Sequence, residues 1–114
     1  MSVHEKLRDL IETIEAAQRA FVAGDSSHYE NLFEHGEETT LTGPFGGPTL
    51  IGWAAIQPRM RKAASFFRPP SGGTSITVEA ASILEDLIIL RLTERNRVRF
   101  RARETVTDWN LRVT

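Results

Sequence analysis

The apolar residues of this chain change period once, and that change limits the folds open to it. Val3, Leu7, Leu10, Ile11, Ile14, Ala17, Phe21 and Val22 recur at steps of three and four, the stripe of an amphipathic helix. Beyond the break Pro69-Pro70-Ser71-Gly72-Gly73 the spacing becomes two. Helices gathered first and strands second predict an α+β domain with an antiparallel sheet. The 114 residues suit one domain, 1–114, large enough to bury a core without staples.

The first helix runs to about Val22, where Gly24 stops it. Asp25, Ser26 or Ser27 can cap a second helix to about Glu34, with Tyr29, Leu32 and Phe33 inward. Thr39 to Thr42 and Leu50–Ile51 flank the turn-rich Gly43–Pro48 as a short hairpin. A third helix is expected over Trp53 to Phe67, kinked or delayed by Pro58. Residues 74–84 alternate through Ile76 and Val78 and shift phase at Ala80–Ala81, which suggests a β-bulge. Glu85–Asp86 turns the chain into a strand over Leu87 to Thr93. A separate alternation over 97–103 sets Val98, Phe100 and Ala102 on one side and Arg97, Arg99, Arg101 and Arg103 on the other. A further strand carries Trp109, Leu111 and Val113.

Chemistry is easier to exclude than to assign. There is no cysteine, hence no disulfide framework and no thiolate metal site. His4, His28 and His35 lack the convergent spacing of metal ligands, so no metal and no cofactor is expected. The proline-bounded Gly43–Pro48 loop does not open into a helix with a lysine, as a phosphate cradle would. The N-terminus is charged and has no long apolar stretch, so no membrane span is expected and the cytoplasm is the expected location.

Charge is uneven. Residues 1–38 hold nine acids and three bases, while residues 39–114 hold six acids and eleven bases. The arginine row could grip an anion if its face is concave, or form a solvated surface or a subunit contact if convex. With a net charge of −1 and Phe100 on the other side of the strand, nucleic acid is not an expected partner. Glu79 and Glu94 are strand carboxylates that either project inward, where burial would raise their pKa into the acid–base range, or lie in solvent.

The order Phe-Val-Ala-Gly-Asp (21–25), Leu32–Phe33, Gly43 to Pro48, Gly52–Trp53 and Leu-Arg-Val-Thr (111–114) resembles the nuclear transport factor 2-like superfamily. More narrowly it is similar to the SnoaL-like and ketosteroid-isomerase-like branch. The resemblance implies a curved antiparallel sheet wrapped around the N-terminal helices as a cone-shaped half-barrel, with a pocket inside. It implies Phe21, Thr42, Phe45, Met60, Ala64, Arg91 and Trp109 as pocket-lining candidates, for which plain core packing is the competing explanation.

The isomerase machinery itself does not carry over. The position of the catalytic base is Gly43, that of the oxyanion-binding tyrosine falls at about Ala17, and no carboxylate lies at Arg112 to Thr114 for the second acid. Relatives also continue beyond the point where this sequence ends, so an incomplete sheet is expected, in a natural short variant or a truncated product, with a homodimer expected to cover the gap. The expected function is binding of a small apolar or amphipathic organic molecule, with or without catalysis. The alternative is a non-catalytic homodimeric association module.

Overall fold

A computed structural model describes residues 2–43, 46–69, 73–103 and 105–114. Helix α1 spans Val3–Phe21, and the Ser2 hydroxyl caps it by accepting from the Glu5 amide at 3.1 Å. Gly24, at a φ of 102°, closes the helix in a conformation that L side chains rarely adopt. Asp25 then holds the next turn, accepting from the amide and hydroxyl of Ser27. Helix α2 is one turn, Ser27–Glu30, shorter than the expected reach to Glu34.

Strands β1 (Thr40–Leu41) and β2 (Leu50–Ile51) form the expected hairpin, with Leu41 opposite Leu50. Helix α3 follows as Trp53–Ala64. Its start is not delayed by Pro58, although a proline there gives up the amide bond to the Ala54 carbonyl. The helix ends before the expected Phe67. That residue instead forms an isolated antiparallel bridge with Phe100.

The main sheet has three antiparallel strands in the order β3 (Gly73–Ile83), β4 (Ile88–Arg99) and β5 (Val106–Val113). Among the described residues β1–β2 is a separate sheet, and neither sheet closes into a barrel. The expected break before residue 97 does not exist: residues 88–99 form one strand, and 101–102 lie in a turn. The four-arginine row is therefore corrected. Arg97 and Arg99 lie on the strand, whereas Arg101 and Arg103 lie beyond its end.

The phase shift in β3 is real. Val78 faces Leu92 and Ala80 faces Arg91, which leaves Glu79 as the extra residue of a bulge. The bulge resets the phase of the distal half of β3, so Ala81 and Ile83 stand opposite Leu90 and Ile88 on the same side as Val78.

One sheet face packs inward. On β4 it carries the buried Leu92, Glu94, Asn96 and Val98. Val22, Phe67 and Val98 form the centre of the core, with Phe21, Phe100 and Trp109 packed around them. Helix α1 lies against this face and contributes the buried Ala17 and Gln18.

Candidate functional site

Two buried carboxylates sit near the core, in opposite circumstances. Glu30 on α2 is fully served: Oε2 accepts from the Ser26 hydroxyl at 2.7 Å, and Oε1 accepts from Gln57 at 2.9 Å and Arg61 at 3.3 Å. Burial pushes its pKa up, but those three donors outweigh burial and hold it below the ordinary value. This group ties α2 to α3.

Glu94 is the contrast. Its side chain is buried at 1% exposure, between Ile76 on β3 and Leu111 on β5 across the inner face. Its Oε2 atom has no hydrogen-bond partner among the described residues. Desolvation without compensation pushes its pKa up to about 7. The Tyr29 hydroxyl is raised as well, first by its own burial and then by the negative charge of Glu94.

The polar neighbours on this face are already committed. Asn96 accepts from Gln18 at 3.4 Å and from Thr74 at 3.1 Å, and donates to the Trp109 carbonyl at 3.0 Å. This network fixes α1 on the sheet beside Glu94. An aromatic band extends from it: Trp109 and Phe100 meet Phe67, Phe67 meets Phe21, and Phe21 meets Tyr29 at 5.3 Å. Tyr29 continues through Phe33 to Trp53, on which His35 stacks at 4.0 Å.

Beyond Glu94 the inner face continues as an apolar floor. Val78, Leu92 and Val113 stand in one row, followed by Ala81 with Leu90 and Ile83 with Ile88. Val78, Ile83 and Ile88 remain 40%, 43% and 37% exposed, so nothing in the described chain covers this part of the floor.

The expected lining residues fall into three groups. Phe21 and Trp109 pack against Phe67 close to the site. Met60 and Ala64 are buried on α3, whose inward stripe also includes Ile56. Thr42 is exposed and its hydroxyl meets that of Thr49 at 2.8 Å. Strand alternation puts Arg91 on the outer face, where it lines an open groove with Glu79, Thr93, Arg95 and Arg112. Phe45 lies outside the described residues. Glu79 is separated from Glu94 by the sheet, and its carboxylate accepts from the Thr93 hydroxyl at 2.9 Å.

Gln18 and Asn96 are site residues outside the set expected from the sequence. The signal for Asn96 was present, since it shares the alternate phase of Leu92 and Val98 once 88–99 is read as one strand. A second open groove, of about 570 Å³, runs between α1 and α2 past Asp9, Glu12 and His28.

Among the described residues no cluster of three or more histidine, aspartate or glutamate side chains could hold a metal ion. No described helix is long and apolar enough to cross a membrane. In comparisons with known proteins, no family model, curated protein or solved structure matches this chain.

Proposed function

We propose that this chain is a SnoaL-like small-molecule-binding domain. Its ligand lies on the concave inner face of a cone-shaped half-barrel, its apolar body on the floor of Val78, Leu90, Leu92 and Val113 and its polar end at Glu94. The observation that carries this reading is the unpartnered, buried Oε2 of Glu94 beside an uncovered apolar surface. Buried polar atoms are nearly always paired, and exceptions concentrate where a ligand or a reaction needs them. A carboxyl near neutrality can give or take a proton at that polar end, which is the chemistry of a general acid or base. Small-ligand sites combine such a single polar group with apolar walls.

Native mass spectrometry of the purified protein tests the proposal, together with titration by 1-anilinonaphthalene-8-sulfonate as an amphipathic probe. Retained organic mass, or probe fluorescence that Leu92→Glu abolishes and Glu94→Gln alters, is the expected result. A bare protein that gives no probe signal, or a signal indifferent to both substitutions, overturns it.

A second reading rests on a different feature. The β3–β4 hairpin exposes Leu84 and Leu87 at its turn in addition to Ile83 and Ile88. Two copies packed through these arms would form a homodimeric association module without catalysis.

A further inference from the structure

The outer face of the sheet ends in an arrangement that is unfavourable as it stands. After α3 the chain pairs with the end of β4: the Arg68 amide donates to the Arg99 carbonyl at 2.8 Å, and the Arg101 amide donates to the Phe66 carbonyl at 2.8 Å. Phe67 and Phe100 face each other at this bridge, and Phe67 is buried in the core. The register therefore sets Arg68 directly across from Arg99, both on the side away from Phe67. Like charges directly opposite on neighbouring strands repel.

Each of these guanidiniums also keeps a buried Nε–H without a partner among the described residues. Arg68 uses Nη2 to donate to the Arg103 carbonyl at 3.1 Å, which leaves its Nε unserved. Arg97, next along the outer face, is neutralised by Asp108 at 3.2 Å, and no such ion pair forms at Arg68 or Arg99 among the described residues. Two facing cations, each with an unused Nε–H, match one anion placed between them. A guanidinium presents Nε–H and Nη–H as a planar fork that matches an oxyanion edge.

We infer that Arg68 and Arg99 together bind a small oxyanion group, inorganic phosphate or a phosphate monoester, on the face of the sheet opposite Glu94. The site is independent of the ligand proposed for the inner face. An anion there relieves the repulsion between the two guanidiniums, so it stabilises the folded chain by linkage.

Thermal unfolding in sodium phosphate, in glycerol 2-phosphate and in sodium chloride of equal ionic strength tests this. The expected midpoint gain over chloride is roughly 5 °C at about ten times the dissociation constant. Response to either compound or to both supports the site and tells which form it accepts. Arg68→Gln and Arg99→Gln, made separately, should each raise the midpoint without phosphate, because the facing charge is gone, and each lose the phosphate gain. No gain beyond chloride, or a gain retained in both variants, overturns the inference. Glu104, outside the described residues, supplies the remaining control. A phosphate response that emerges only in Glu104→Gln means that the chain's own carboxylate occupies the place, and it overturns the inference too.

Discussion

At the scale of the residue, the two buried glutamates behave oppositely with pH. Glu94 titrates near 7 in the folded chain, against an ordinary value of 4.5. The folded state therefore holds its proton more tightly than the unfolded state does. Its contribution is complete below about pH 4.5 and is lost as pH rises through about 7, a loss of roughly 3 kcal/mol. Urea unfolding at about pH 5 and about pH 8 should show that decline in the wild type, and Glu94→Gln should flatten it. Glu30, held below its ordinary value by its three donors, gives the reverse sign, with stability lost on acidification. Among the described residues Phe67 is the one on which most rings converge, and Phe67→Ala should cost about 3–5 kcal/mol by the same urea assay.

At the scale of the element, the end of α1 is sterically tuned. A Cβ on Gly24 would stand 3.1 Å from the Phe67 carbonyl oxygen, at a φ of 102°. Gly24→Ala should therefore destabilise by about 1–3 kcal/mol, seen as a lower urea midpoint with an unchanged slope. Gly24 was readable beforehand because a helix stop needs no tertiary information, and so were α1, the β1–β2 hairpin and the start of α3. The single strand β4 was not. Its middle, Glu94-Arg95-Asn96, is polar enough to read as a break, although Glu94 and Asn96 lie in the phase of the apolar residues. The facing of the arginines and of Glu94 follows only once 88–99 is one strand. Asn96 is tolerated inside because Gln18, 78 residues away, and Thr74 donate to it and it donates to the Trp109 carbonyl, partners that no local pattern reveals. Arg91 faces outward because it alternates with the inward Leu90 and Leu92 on the same strand.

At the scale of the whole molecule, the radius of gyration is 14.6 Å and the longest axis is 46 Å. A chain of this length packed evenly would measure about 13 Å. The distal β3–β4 hairpin fits that excess, because it combines length with little cover. Its exposed apolar side chains make a specific prediction for the second reading of function. Sedimentation equilibrium at micromolar concentration should show a dimer that Ile83→Lys with Ile88→Lys converts to monomer, while Val22 and Phe67 keep the core folded. A wild-type monomer at that concentration removes this reading and leaves the inner floor to a small ligand.

The bulge at Glu79 has a consequence for how this sequence can vary. Val78 and Ala80 already occupy consecutive places opposite Leu92 and Arg91, so Glu79 holds no place of its own in the ladder. Deleting it would leave each remaining side chain on its present side, whereas a deletion in the regular part of a strand would transpose the side chains beyond it. Chain length and surface pattern are uncoupled at that point. A one-codon deletion there changes the charge beside Arg91, Arg95 and Arg112 and the bend of the arm, and leaves the fold's inside and outside as they were.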